Sequence, residues 1–384
     1  MSRTLNDFET QIQDLLRDTT GGTVTTDAVT RFLNRRIREL RNRHGVHGGR
    51  NYSSISVFPG IYEYPLPSDY GDFINIQDRE NPLNFYETTA DEFWTRLNQI
   101  DDAFAINGTL GANFCLIKSN KAGTSALVHN CDSLTDNGTW SADTVNSDAL
   151  NLVADTEVYK TAGASLRFDI DVSQSVNDYA AIVNSDLTAV DLSRQEDIGT
   201  LFIWVYLPEV TNITNVTARW GSSSTDYWSN STTEQYNGNS FAVGWNRVGV
   251  AWSGASETGT PDSSAVDYLY VQISYGAAQT DANNFRVDDI VMKGPSEWEL
   301  QYYSKNLCED SSGNTQEELS DGDDTTVIDS AFDDWLFYMA LADAYWTKEL
   351  YPDVQTAKQE ATNILGRVLP RYHSDRNRAR KRYY

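Results

Sequence analysis

Apolar residues along this chain recur at three- and four-residue steps near its two ends and at two-residue steps between them. Leu5, Phe8, Ile12, Leu15 and Leu16 mark a first amphipathic helix, which Gly21-Gly22 interrupts. A second begins after Thr25 or Thr26, each a suitable N-cap, and lines Val29, Phe32, Leu33, Ile37 and Leu40 along one face. Gly45 or Gly48 in HGVHGG supplies its stop. A short β region follows: SSISVF, the Pro59-Gly60 turn, GIYEYPLPSDYGDFINI (60–76) and LNFYET. Pro65 and Pro67 withhold two backbone donors, so the run from Ile61 to Leu66 reads as an edge strand entering a turn. That strand is expected beside ELQYYSK, far along the chain. TADEFWTRL reads as a short helix, and INGTLGANFCLIKS as a small hairpin.

The character of the chain changes near Ser119. Until about Pro295 there is no helical period, and short alternating runs are separated by Ser, Thr, Asn, Asp and Gly: SLRFDIDV, TLFIWVYL, VTARWG, NRVGVAW, DYLYVQISY and FRVDDIVM. Strands at intervals of roughly 8 to 20 residues, rich in aromatic and β-branched residues, predict an antiparallel sandwich. EWELQYYSK then resumes a strand and an acidic loop runs from Glu309 to Asp324. Ser330 with Asp333 forms a capping-box pattern ahead of WLFYMALADAYWTKEL, which is apolar over most of its circumference and so predicted to be buried. Pro352 ends that helix, and another from Asp353 carries Val354, Ala357, Ala361, Ile364, Leu365 and Val368 on one side. The expected fold class is therefore α+β and multidomain. A helical body, with N- and C-terminal helices and a small β region, occupies 1–118 and 297–384, interrupted by an all-β jelly-roll sandwich at 119–296.

Charge refines this picture. The formal net charge of −25 argues against nucleic-acid binding by the whole surface. Two stretches run the other way, each with seven basic residues against one acid: 31–50 and 366–384. The longest apolar run, LFIWVYLP, is far short of the roughly 20 residues of a membrane span, so no membrane association is expected. Cys115, Cys131 and Cys308 are widely spaced and show no metal-like grouping, which predicts free thiols in a reducing cytoplasm.

Candidate chemistry is sparse. His44, His47, His129 and His373 form no metal-spaced motif, and neither a GxSxG elbow nor a phosphate loop is present; no enzyme and no cofactor is expected. Asp288 and Asp289, with Asp169 or Asp171, are oxygen donors of the type calcium takes, but strand-end aspartates in so acidic a segment are more often simply solvated, and no metal is assigned. Trp220, Tyr227 and Trp228 surround the turn GSSST, where exposed rings would stack on a sugar; the competing reading is that they are core or interface anchors. Trp204, Trp245 and Trp252 alternate with polar residues and are expected in the core. Arg31, Arg35 and Arg38 line one helix face, either paired with acids of a neighbouring copy, such as those of 309–324, or solvated. The basic tail, with Arg371, Arg376, Arg378, Arg380, Lys381 and Arg382, either binds DNA, or is a solvated end, or docks on a partner. Spread around a helix, its arginines would not face one DNA groove.

Several of these motifs, in order, resemble the head-to-tail connector (portal adaptor) proteins of tailed bacteriophages: LNDFETQIQDLL and VTRFLNRRIREL, IYEYPLPSDY, ELQYYSK, and the helix pair beginning FDDWLFYMALADAYWTKEL. The resemblance covers 1–118 and 297–384 and implies a structural virion protein, assembled in the host cytoplasm. It also implies a ring of copies, dodecameric to match the portal, that contacts the portal protein and tail or nozzle proteins. Packaged DNA would pass through the channel without sequence-specific binding. It favours docking for the tail, with Tyr372, Tyr383 and Tyr384 as anchors beside the basic residues, and subunit contacts for Arg31, Arg35 and Arg38. The intervening segment resembles a jelly roll of the carbohydrate-binding-module or galactose-binding-like kind in YKTAGASLRFDI, LFIWVYLP, GWNRVGVAW and FRVDDIVM, departing from the commoner Gly-Gly-Ser-Leu form at Ala162 to Ser165. That resemblance gives the alternative function, a carbohydrate-binding or adhesion protein of a virion or cell surface.

Overall fold

The computed structural model describes residues 3–17, 23–78, 86–87, 89–96, 103–106, 114–118, 123–173, 178–328 and 330–380. The elements begin with α1 (Leu5–Leu15), α2 (Thr26–His44), β1 (Arg50–Val57), β2 (Glu63–Pro65), β3 (Tyr70–Asp78), β4 (Tyr86–Glu87), α3 (Ala90–Thr95), β5 (Ala103–Ile106) and β6 (Phe114–Lys118). Twelve strands follow: β7 (Thr124–His129), β8 (Trp140–Ala142), β9 (Ala149–Asp155), β10 (Ser165–Ile170), β11 (Tyr179–Asn184), β12 (Thr200–Leu207), β13 (Ile213–Gly221), β14 (Tyr227–Thr232), β15 (Gly244–Ala251), β16 (Ser256–Thr258), β17 (Tyr268–Tyr275) and β18 (Ala282–Gly294). After them come β19 (Ser296–Ser304), β20 (Cys308–Glu309), β21 (Thr315–Gln316), β22 (Thr325–Thr326), α4 (Ser330–Thr347) and α5 (Tyr351–Arg380).

With 39% strand and 23% helix, the expected helical body with an inserted sandwich is overturned: the protein is mostly β-sandwich. The physical reason lies in the flanks. Their two-residue alternation forms β1 to β6 and β19 to β22, so helix is confined to the two ends and the short α3. The chain folds into two compact units, Met1–Ser54 with Pro67–Ile76 and Glu299–Tyr384, and Ile55–Leu66 with Gln77–Trp298. Residues 55–66 and the described residues of 77–118 group by contact with the sandwich, whereas the sequence reading sets the division near residue 119. The partner expected for GIYEYPLPSDYGDFINI is found for its second half, since β3 neighbours β19, which lies between β1 and β3; its first half differs, with β2 pairing antiparallel with β6.

In the first unit, Thr25 caps α2 by accepting the Ala28 N–H, and Gly45 ends it at φ +60°, a left-handed conformation that glycine adopts without steric cost. Leu5, Phe8, Ile12, Leu33, Ile37 and Leu40 of α1 and α2 share one core with Phe332, Trp335, Leu336 and Ala340 of α4 and Ile364 of α5. The capping box expected at Ser330 is replaced by a tertiary contact: the Asp333 carboxylate is buried and accepts from the Thr326 hydroxyl at 2.5 Å and the Arg3 N–H at 3.4 Å. Pro352 falls in the first turn of α5, where its missing N–H costs nothing, and α5 continues through Pro370 to Arg380.

The second unit carries two six-stranded sheets. One has the order β15-β12-β18-β10-β9 with β7 also on β18; the other has the order β16-β14-β13-β17-β11-β8. Alternate residues of both, such as Leu201, Ile203 and Val205 of β12 and Leu269, Val271 and Ile273 of β17, form a single core with Trp220, Trp228 and Trp252. Of the hairpin expected in 106–119, β6 pairs antiparallel with β5, which lies mostly before that stretch, and residues 107–113 fall outside the described residues.

Candidate functional site

Strand parity decides which residues β12 and β15 turn outward. With Leu201, Ile203, Val205 and Leu207 in the core, Phe202, Trp204 and Tyr206 must face the other way, and on β15 the buried Asn246, Val248 and Val250 leave Trp245, Arg247 and Gly249 outward. The antiparallel register sets Trp204 opposite Arg247 and Tyr206 opposite Trp245. Each such pair adjoins a β18 residue, Asp288 beside Trp204 and Arg286 beside Tyr206. The outer face of this sheet is thus a plane of aromatic rings set among charges.

The turn that begins GIYEYP roofs one end of the plane. The buried Tyr64 hydroxyl accepts the Phe58 N–H at 2.8 Å and donates to the Ile61 carbonyl at 2.8 Å, which pins residues 58–61 in a tight turn. Phe58 meets Phe202 edge-on with ring centroids 5.1 Å apart, and Tyr236 meets Phe202 at 4.7 Å. Gly249 makes room for Tyr236, since a Cβ there would lie 2.5 Å from its ring. Asn237 donates to the Glu63 carboxylate at 2.8 Å, and Lys293 to the Pro59 carbonyl at 2.7 Å. Beyond this covered end the plane opens into a cavity of about 450 Å³, lined by Tyr62, Glu63, Trp94, Lys160, Trp204, Asn237, Trp245 and Arg247 together with neighbouring backbone. Trp94, from α3, is 46% exposed and meets Tyr62 edge-on at 6.1 Å. A cavity of this size is typical of small-ligand sites, which span roughly 300–1,000 Å³.

Two cations flank the central indole. The Arg247 guanidinium and the Lys160 ammonium each lie 4.4 Å from the Trp204 ring centroid. Lys160 is fixed by its backbone: its N–H and that of Thr161 donate to the buried Asp288 carboxylate at 2.7 and 2.9 Å, and the Thr161 hydroxyl adds a third bond at 2.7 Å. Asp288 is thereby committed to holding this loop, and Asp169 likewise accepts from the Asn284 N–H and Asn151. No group of three or more metal-ligating side chains occurs among the described residues.

The residues singled out in the sequence fall elsewhere. Trp220 and Trp228 are buried in the sandwich core, 4.7 to 5.5 Å from Trp252 by ring centroids in the two pairs that meet there, so they offer no face for stacking. Tyr227 lies on the outer face of the other sheet, beside Tyr268 and under Arg219. Trp252 is core as expected, whereas Trp204 and Trp245, also expected there, line the cavity. The overlooked signal was the parity of TLFIWVYL: its aliphatic residues alternate strictly, which leaves Trp204 on the opposite face.

Arg35 pairs with Asp343 at 2.5 Å and Arg38 with Glu318 at 3.2 Å, both within the chain, while Arg31 is exposed with no ion pair among the described residues. Arg36 binds Asp343 through two nitrogens, and Arg41 reaches Glu317. The acidic loop expected to meet this arginine face on a neighbouring copy therefore meets it within the same chain. Of the tail, Arg371 is exposed, and Tyr372 bonds the His47 N–H at 2.9 Å and packs edge-on against Phe332. Arg376, Arg378 and Arg380 lie on the last turns of α5, with their side chains outside the described set; Lys381, Arg382, Tyr383 and Tyr384 fall outside the described residues. The three cysteines are free and buried, and burial pushes the Cys115 thiol up to about 12. No described helix is long and apolar enough to cross a membrane.

Neither a family model nor a curated protein matches this chain. Among solved structures, a family 11 carbohydrate-binding module from Clostridium thermocellum, in complex with a β-1,3-1,4-mixed-linked tetrasaccharide, is similar at 15% identity and a TM-score of 0.31, covering 44% of this chain and 95% of that one. A family 30 carbohydrate-binding module is similar at 13% identity and a TM-score of 0.32, covering 44% and 99%. An exo-β-agarase shows 10% identity and a TM-score of 0.29, covering 44% of this chain and 25% of its own. The first two of these structural neighbours are carbohydrate-binding modules.

Proposed function

We propose that the protein binds glycans in the cavity over β12 and β15. One observation carries this reading: three indoles, Trp94, Trp204 and Trp245, line a single cavity together with Glu63, Asn237, Lys160 and Arg247. A sugar ring has an apolar C–H face and a rim of hydroxyls. Flat aromatic rings match the first, and amide, carboxylate and cationic groups at the edge match the second. Turnover is not part of the proposal, since glycoside hydrolysis uses a pair of carboxylates across the scissile bond and Glu63 is the one acid among the lining residues. A glycan array probed with the full chain tests the reading. Binding that is lost in Trp204→Ala and kept in Tyr227→Ala supports it; an array with no hits, or hits indifferent to Trp204, counts against it.

A second reading concerns where such a module is displayed. It draws on the shared core of α1, α2, α4 and α5, helices from opposite ends of the chain, and on the motif order in those flanks. In that reading copies assemble on a phage portal and tail proteins attach below. Electron microscopy of the protein mixed with portal rings tests it, and free particles beside bare rings would dismiss it.

A further inference from the structure

Arg167, Arg247 and Arg286 stand on the outer face of the β12 sheet, and the last two are treated differently. Arg286 is answered by a carboxylate: Asp155 meets its Nε at 2.9 Å and its Nη2 at 2.8 Å, while the guanidinium lies 4.9 Å from the Tyr206 ring. Arg247, one residue pair along, has no ion pair and no side-chain hydrogen bond among the described residues, although it is largely buried against Trp204. Asp289 and Glu63 act on it only through space, and Glu63 is already bonded to Asn237. Burial lowers the Arg247 pKa, the direction expected of a cation whose desolvation is not answered by a partner. The exposed Lys160 ammonium, over the same indole, also lacks an ion pair among the described residues. In a chain of net charge −25, two uncommitted cations in one aromatic cavity stand against the general trend.

We infer that the cavity selects acidic sugars, with the aromatic rings taking the pyranose face and Arg247 and Lys160 taking a carboxylate or sulfate on the same residue. This rests on the glycan reading above and narrows it. A guanidinium presents parallel N–H donors that match either anion, and a buried unpaired one gains more from an anion than a solvated one does. Both cations lie over the ring of Trp204, 4.4 Å from its centroid, so Trp204 holds them in the cavity and a negative group on a sugar stacked on Trp94 or Trp245 meets them there. A neutral sugar would leave the largely buried Arg247 charge unanswered, which is where selectivity arises.

The test uses the full chain on an array of neutral, uronate-bearing and sulfated oligosaccharides, followed by calorimetry on the tightest binder and its carboxyl-reduced or desulfated counterpart. The expected result is acidic binders, with the acidic form about tenfold tighter than its neutral counterpart. The preference should shrink as salt is raised and as Lys160→Ala or Arg247→Gln is introduced; the exposed Lys160 serves as the control for any folding defect in the Arg247 variant. Which anion wins, carboxylate or sulfate, identifies the ligand and supports the inference either way. Equal or tighter binding of neutral forms overturns the acidic selectivity and leaves the glycan reading standing. An array with no hits overturns both.

Discussion

Both sheets of the sandwich turn aromatic rings and an arginine outward, and only one of the two sets is left open. On β13, β14 and β17, Arg219 lies 4.4 Å from the Tyr270 ring and 5.2 Å from Tyr227, while Tyr227 and Tyr268 tilt together at 6.0 Å. Tyr268 and Tyr270 are each only 4% exposed, so these rings serve one another. On β12 and β15 the same residue types border a cavity, because the turn held by Tyr64 and the ring of Tyr236 roof one end and stop short of Trp204. Aromatic content therefore does not locate a site; what covers the rings does.

The sharpest way to break the comparison is to exchange the roles of the tryptophans. Trp228→Ala removes a core ring beside Trp252 and should cost about 3–5 kcal/mol in denaturant unfolding. Trp204→Ala should cost less, about 0.5–2 kcal/mol for its two cation–ring contacts, and weaken glycan binding at least tenfold, roughly 1.4 kcal/mol. If Trp204→Ala proves the more destabilising of the two, the assignment of faces is wrong.

Gly249→Ala probes the roof. A methyl group there meets the Tyr236 ring, which must move to relieve it, so a loss of about 1–3 kcal/mol is expected by thermal unfolding, together with weaker binding. The closed set offers the contrast: Arg219→Met removes two cation–ring contacts at about 0.5–2 kcal/mol in stability and should not change glycan affinity.

The smallest expected effect is on acid stability. Burial would raise the Asp155 carboxyl, but the N–H groups of Glu157 and Val158 and the Arg286 guanidinium together hold it below the ordinary carboxylate range. A group depressed in the folded state contributes stability in full above its unfolded value, near pH 4, and loses it as pH falls through the folded value. Asp155→Asn should therefore flatten the acid limb of a stability-against-pH curve below about pH 4, and change little of the curve's shape above it.

Much of the fold was legible because it rests on local signals. Thr25 and Gly45 bound α2, the alternating runs became strands, and Trp335, Leu336, Phe337, Ala340 and Leu341 of the apolar run were buried by neighbouring helices, with Trp346 at its end exposed. What was not legible depended on pairings across long sequence distances. The acidic loop and the arginine face of α2 are complementary as expected, but Arg38 and Glu318 meet within one chain, which charge alone does not specify. Likewise Pro65 marks β2 as a strand short of donors without saying that β6 is its partner. The site suffered most: Trp204 was legible from parity within a single strand, whereas Trp94 and Lys160 are brought to it by α3 and by a loop held on Asp288.

The most direct measurement follows the indole N–H signals of the tryptophans by NMR while a binding oligosaccharide is added to the full chain. Signals of Trp94, Trp204 and Trp245 should shift, and those of Trp220, Trp228 and Trp252 should stay in place. Shifts confined to the second group, or a titration that moves none of the first, would contradict a glycan site over β12 and β15.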